Sequence, residues 1–146
     1  MSEITIYSFD KCPFAQRTRM VLIEKNLPFE LVEIDVYNKP DWFSSVSPYG
    51  KVPVLSHEGN TIYESAIINE YLDEVFPDIP LMPDNHFQRA KARIWIDYCS
   101  NRYLPACSQL MRDRNNPQEQ EKNLENLREI FFYMERECFE KNSGGK

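Results

Sequence analysis

Polar and apolar positions alternate over residues 3–8, where Ile4 and Ile6 flank a threonine and lead into Tyr7; this period of two predicts a strand. The period lengthens over 13–26, whose apolar positions include Met20, Val21, Leu22 and Ile23, and predicts a helix. Residues 29–34, with Phe29, Leu31, Val32 and Ile34, return to a strand pattern. Strand, helix and strand within about 30 residues make a βαβ unit, which implies a parallel pair. Pro40 to Val46 predicts a short helix with Pro40 at its first position, closed by a turn at Ser47-Pro48-Tyr49-Gly50. Two short strands, Val52–Ser56 and Thr61–Tyr63, face each other across Glu58-Gly59-Asn60, a tight antiparallel hairpin. A helix from Ser65 to about Phe76 has Ala66, Ile68, Tyr71, Leu72 and Val75 at helical spacing and stops before Pro77 and Pro80.

The order β-α-β-α-β-β-α predicts an α/β, thioredoxin-like domain over 1–78. A proline-bearing linker over 79–86 follows, then an all-α domain over 87–146. In that last part Phe87, Ala90, Ile94 and Tyr98 share a face, and Pro105 is expected to kink or interrupt the helix. Beyond a breaker at Asn115-Asn116-Pro117, Leu124, Leu127, Phe131, Met134 and Cys138 recur at intervals of three and four. No later segment offers this stripe a partner, and Ser143-Gly144-Gly145-Lys146 reads as turn chemistry. The expectation is a helical domain that is partial, or a stripe that docks on another chain.

Composition narrows the function classes. Apolar residues make up 42% and charged residues 27% of the 146, as in ordinary globular chains. Seventeen basic against 23 acidic residues give a net charge of −6 with no basic run, which argues against nucleic-acid binding. No apolar run reaches the ~20 residues of a membrane span, and Met1-Ser2-Glu3 does not begin a signal peptide. The expected location is the cytoplasm, with no membrane partner. Cys12, Cys99, Cys107 and Cys138 are too widely spread for a disulfide framework, and no CxxC pair or Cys/His cluster suggests zinc. His57 and His86 are expected at the surface.

Cys12 carries the chemistry. It stands where the first strand ends and a helix begins, with Pro13 suited to the first helical position. Unsatisfied first-turn amides and the positive end of the helix dipole favour thiolate there, and the thiolate is the reactive form. Two readings stand: a packed, inert thiol and a nucleophile. The helix start, with Lys11, Arg17 and Arg19 close in sequence, favours the second. A dithiol redox motif would place its second cysteine at position 15, which is Ala15; redox chemistry at Cys12 therefore requires an external thiol.

Two further features fit one ligand. Val52-Pro53 enters a strand at a position where thioredoxin-like domains carry a cis proline facing the active cysteine. There the backbone before the proline is free to pair with a peptide. A trans proline that merely starts the strand is the other reading. Ser65 explains itself as an N-cap, yet a helix start with a hydroxyl also binds a carboxylate, and Glu64 beside it suits an ammonium group. A thiol, a central peptide unit and an α-amino acid head, in that order, describe glutathione.

On Cys12-Pro13-Phe14-Ala15-Gln16-Arg17-Thr18-Arg19, Asn38-Lys39-Pro40-Asp41-Trp42-Phe43, Pro48-Tyr49-Gly50-Lys51-Val52-Pro53-Val54-Leu55 and Ile62-Tyr63-Glu64-Ser65-Ala66-Ile67, the chain resembles the glutathione transferase superfamily, most closely its omega class. Tyr71-Leu72-Asp73-Glu74 and Leu81-Met82-Pro83 extend the likeness through residues 4–85; beyond about 90 it is only broad. The resemblance implies a Cys12–glutathione mixed disulfide, with Phe14 near the sulfur and Lys39 at the glycyl carboxylate. Val52, before Pro53, would pair with the cysteinyl backbone, and Glu64 and Ser65 would hold the γ-glutamyl end. For Lys39 the alternative is a solvated surface lysine; Arg17 and Arg19 are assigned mostly to the surface, with a field that can attract an anionic ligand.

The implied chemistry is thiol transfer or reduction of the thioltransferase or dehydroascorbate reductase type. Glutathione is co-substrate, the acceptor is small and oxidised or electrophilic, and no metal is required. The resemblance implies a homodimer if the helical domain is complete. Members carry a longer helical domain, which puts the acceptor site in question here. Two alternatives share the fold: a conjugating transferase, and a non-enzymatic interaction protein of the RNA-polymerase-associated stringent starvation protein type. Chloride intracellular channel proteins share the cysteine-bearing domain, but no membrane-inserting stretch stands out.

Overall fold

The computed structural model describes residues 3–140; Ser143-Gly144-Gly145-Lys146, read above as turn chemistry, lies outside them. The chain divides into two compact units, Met1–His86 and Phe87–Lys146. No helix among the described residues is long and apolar enough to cross a membrane.

The first unit is built on a four-stranded sheet in the order β2-β1-β3-β4. Its strands are β1 (Ile4–Ser8), β2 (Glu30–Glu33), β3 (Val54–His57) and β4 (Asn60–Tyr63). β1 runs parallel to β2, in register Ile6 with Leu31, and antiparallel to β3, in register Ile6 with Leu55. The parallel pair is joined by helix α1 (Pro13–Glu24), as a crossover requires. Helix α2 (Ser65–Val75) packs beside α1. This is the thioredoxin-like arrangement that the element order predicts.

Alternation along the strands sorts residues between two cores. Ile4, Ile6 and Leu55 join Leu22 of α1 and Ile68 and Leu72 of α2 in one cluster. Tyr7 and Val54 face the other way, onto Ile34 and Phe43. Of the four consecutive apolar residues of α1, Leu22 is fully buried while Met20 and Ile23 are more than 60% exposed. At 3.6 residues per turn, four successive positions cannot share one face.

Local chemistry terminates the elements. α1 ends in a Schellman-type motif: Asn26 adopts φ 53°, its amide bonds the Ile23 carbonyl, and the Leu27 amide bonds that of Leu22. The expected helix at 40–46 is a 3₁₀ turn, Asp41–Ser45, with Pro40 as its cap. Turn Ser47–Gly50 is closed by Ser47, whose hydroxyl donates to the Lys51 carbonyl (2.8 Å) and accepts from its amide (2.9 Å). The β3–β4 hairpin turns on Glu58 (φ 50°) and Gly59 (φ 77°) alone. Asn60 belongs to β4, paired with His57. Two successive positive φ angles match the twist of the flanking strands.

His57, expected at the surface, is 4% exposed. Its Nδ1 and the Tyr71 hydroxyl share a 2.8 Å hydrogen bond, and its ring packs on Phe76. As the opposite number of Ile4 it points to the helix-covered face, where a polar ring is tolerated once bonded. His86 is exposed, at the start of α3.

Residues 76–82 are tied to the first unit by a buried ion pair. Lys25 Nζ lies 2.7 Å from Asp73 Oδ1 and also donates to the Phe76 and Ile79 carbonyls. Asp73 in turn accepts from the Leu81 and Met82 amides. The segment expected to be a linker is held through Met82 by these bonds.

The second unit comprises α3 (His86–Tyr98), α4 (Leu104–Arg112) and α5 (Pro117–Glu135). Where Pro105 was expected to disrupt the helix, a π-helical turn, Cys99–Tyr103, joins α3 to α4. A residue inserted before a proline absorbs its missing N–H without ending the helix. Asn116 caps α5 by accepting from the Glu119 amide. Of the predicted stripe on α5, Leu127 packs against Ala106 together with Ile130, with Met134 beside them. Leu124 and Phe131 are 43% and 51% exposed. The buried face is thus rotated from the predicted one.

Candidate functional site

Cys12 is the N-cap of α1, in extended backbone conformation, with Pro13 in the first turn. Its amide donates to the Phe9 carbonyl and its carbonyl accepts from Gln16. The thiol is not used to cap the helix. Sγ instead lies 3.8 Å from the Val52 carbonyl oxygen, a long S–H···O contact across 40 residues of sequence. The half-buried thiol therefore stands at the start of α1, against the backbone that precedes Pro53. The Val52–Pro53 bond, left open by the sequence, is cis.

A cavity of about 130 Å³ opens beside this contact, lined by Phe14, Val52, Pro53, Glu64 and Ser65 together with Ser47, Tyr49, Lys51 and Tyr63. Five of the six binding residues anticipated from sequence are thus brought together. Lys39 is exposed and does not line the cavity; its Nζ lies over Gly50, 3.5 Å from where a Cβ would stand. The lysine among the lining residues is Lys51. Tyr49 and Tyr63 meet edge to face, their centroids 5.0 Å apart, and form one wall.

The Glu64-Ser65 corner departs from the anticipated cap. Glu64, not Ser65, is the N-cap of α2, and its backbone sits at φ 70°, ψ 109°. For a side chain with a Cβ this is strained, at a cost of about 1–3 kcal/mol. The strain is held by the packing of β4 and α2 on either side. Glu64 makes no side-chain cap bond, so the first-turn amides of α2 are not occupied by its carboxylate. Ser65 is 3% exposed.

Arg17 and Arg19, assigned to the surface by the sequence reading, are both structural. Arg17 Nε donates to Ser65 Oγ at 2.9 Å, and its guanidinium lies over the Phe14 ring, 5.2 Å from the centroid. It links two cavity-lining residues from different elements. The signal for it was the i, i+3 spacing of Phe14 and Arg17, which places both on one face of α1. Arg19 donates to Ser8 Oγ and to the Phe9 and Asp10 carbonyls, and so holds the loop that carries Cys12.

Comparison with known proteins gives this arrangement a family. Residues 11–75 match the model of the glutathione S-transferase N-terminal domain. A protein of Aplysia californica named probable glutathione transferase is 44% identical over 89 residues, which cover 61% of this chain and 97% of that protein. The chain belongs to the glutathione transferase superfamily.

Within the superfamily it is omega-like. Glutathione S-transferase omega-1 of Rattus norvegicus is 43% identical over 99 residues, 67% of this chain and 41% of that protein. A rice glutathione transferase solved in complex with glutathione is 36% identical, with a TM-score of 0.86 over 93% of this chain and 63% of that one. The chain spans about two fifths of the rat relative's length. The matched family segment contains Val52-Pro53 and Glu64-Ser65, which line the cavity, and Cys12, which meets the Val52 carbonyl.

Proposed function

We propose that the cavity beside Cys12 binds glutathione and that the chain carries glutathione-dependent thiol transfer or reduction through Cys12. The observation that carries the proposal is the 3.8 Å approach of Cys12 Sγ to the Val52 carbonyl, at the edge of a cavity lined by Glu64 and Ser65. In this reading the γ-glutamyl carboxylate sits at the Ser65 hydroxyl and the first amides of α2. Glu64 accepts the ammonium group, and Val52 pairs with the central peptide. Lys51 and Lys39 supply positive charge for the glycyl carboxylate, and Phe14 packs near the sulfur. The kinship with a rice protein that binds glutathione supports this assignment.

The chemistry follows thiol–disulfide exchange. The Cys12 thiolate attacks the glutathione sulfur of a mixed disulfide; an S–S bond forms, the old one breaks, and the acceptor leaves as a thiolate. A second glutathione thiolate then attacks the Cys12–glutathione disulfide, releasing oxidised glutathione and restoring Cys12. Net, one glutathione converts a mixed disulfide to the acceptor thiol and oxidised glutathione, whereas an acceptor that carries no glutathione takes two electrons from two glutathione molecules. Dehydroascorbate takes the same two electrons, with two protons, to become ascorbate. Ala15 leaves Cys12 without a neighbouring thiol to resolve it, so the second glutathione is needed.

The test is glutathione-dependent reduction of dehydroascorbate and of a small mixed disulfide by wild type and Cys12→Ala. Turnover in wild type and its loss in the variant are expected, with an adduct of one glutathione on Cys12 seen by intact mass. Folded wild type without turnover, or equal rates in the two proteins, would overturn the thioltransferase reading.

A further inference from the structure

Glu3, His57 and Glu58 meet at the end of β3 opposite Pro53, brought there by strand register. Ile4 pairs with His57 across the antiparallel β1–β3 ladder. The residue before Ile4 and the residue after His57 therefore fall side by side. One ring nitrogen of His57 and one carboxylate oxygen from each glutamate all lie within 4.8 Å of one another. No hydrogen bond or salt bridge among the described residues engages either carboxylate with the imidazole.

We propose that these three side chains form a binding site for a divalent first-row cation. His57 is the organising ligand. It is 4% exposed, and its ring is wedged between Tyr71 and Phe76, with centroid distances of 5.9 and 5.4 Å. In the proposed site His57 takes the tautomer in which Nδ1 donates to the Tyr71 oxygen, 2.8 Å away, and Nε2 offers its lone pair to the ion. That is the second bond by which metal-ligating histidines fix tautomer and orientation. Glu3 and Glu58 are exposed and supply two negative charges at the rim, so a divalent ion neutralises their mutual repulsion. Two carboxylates and one imidazole suit Mn(II), Co(II) or Zn(II), with the remaining positions open to water. Both glutamates have the reach to draw in around the ion, because neither is packed. Bound there, the ion ties the start of β1 to the β3–β4 turn and stabilises the first unit by mass action. The site takes no part in the chemistry at Cys12.

Mn(II) is the discriminating probe, because thiols bind it poorly and the four cysteines then do not compete. Titration of the metal-free chain followed by electron paramagnetic resonance is expected to show one Mn(II) per chain, with a melting temperature that rises with Mn(II). Glu3→Gln and Glu58→Gln, both surface changes, are each expected to weaken binding by roughly tenfold or more. Cys12→Ala leaves it unchanged. Absence of Mn(II) binding at millimolar metal, or an affinity indifferent to either glutamine variant, would overturn the site. Circular dichroism of the two variants separates lost binding from lost folding.

Discussion

Arg17 Nε donates a 2.9 Å hydrogen bond to Ser65 Oγ, joining the second turn of α1 to the first residue of α2 across 48 positions of sequence. Ser65 can therefore keep its hydroxyl proton for a ligand, since the bond to Arg17 uses an oxygen lone pair. The guanidinium also rests on Phe14, so one side chain sets the positions of two cavity walls. Arg17 is a positioning residue. Arg17→Ala is expected to raise the glutathione dissociation constant roughly tenfold, about 1.4 kcal/mol. Arg17→Lys, which keeps the charge but loses the planar fork, should fall between the two. Calorimetric titration with glutathione checks this; an unchanged constant in the alanine variant would refute the positioning role.

Glu64 holds a strained backbone beside that bond. Glu64→Gly removes the Cβ that makes φ 70° costly, and removes the carboxylate as well. The variant is expected to lose glutathione affinity while its stability stays level or rises by about 1 kcal/mol, since relief of strain is offset by a freer unfolded chain. Thermal melts and glutathione titrations on one preparation read both effects. A variant that loses several kcal/mol would show that Glu64 is held by contacts rather than against strain.

The Lys25–Asp73 pair is buried, with side chains 1% and 8% exposed. Removing one partner leaves an uncompensated charge, so Asp73→Ala is expected to cost about 3–5 kcal/mol. Burial raises the Asp73 pKa, but the Lys25 bond and the Leu81 and Met82 amides outweigh it and hold the carboxyl below its ordinary 3.8. A pKa depressed on folding adds stability at neutral pH that is lost as pH falls through the ordinary value toward the depressed one. Stability of wild type should therefore decline below about pH 5, and that decline should be shallower in Asp73→Asn. Parallel acid-side slopes in urea melts would contradict this.

Thr18 is fully buried on α1, and its hydroxyl has no hydrogen-bond partner. Thr18→Val keeps the shape and removes an unsatisfied polar atom, so it is expected to be neutral or stabilising by up to about 1 kcal/mol. A loss beyond 1 kcal/mol in chemical denaturation would reveal an acceptor for that hydroxyl.

Much of the first unit was readable from the chain because its determinants are local. Period-two and period-3.6 patterns, Pro13 at a helix start and Glu58-Gly59 at a hairpin each act within a few residues. Cys12 was readable for the same reason, since its place depends only on where β1 stops and α1 begins. His57 and Arg17, which the sequence reading placed at the surface, and the Lys25–Asp73 pair were not. Each is buried or engaged by a partner that lies 14 to 48 residues away along the chain. The predicted stripe on α5 failed differently: periodicity identifies an apolar band about 100° wide, and only packing against α4 selects Leu127 and Ile130 from it.

By itself, then, the sequence determined the order of the elements, the monothiol character of Cys12 and most of the residues that line the cavity beside it. Tertiary structure decided which lysine lines the cavity, Lys51, and which residue caps α2. It also decided how Ser65 is held and what His57 faces. The division has one physical cause. Backbone propensities and caps are short-ranged and written residue by residue. Side-chain partners are set by the register of strands and the angle of helices, which depend on the whole packed core.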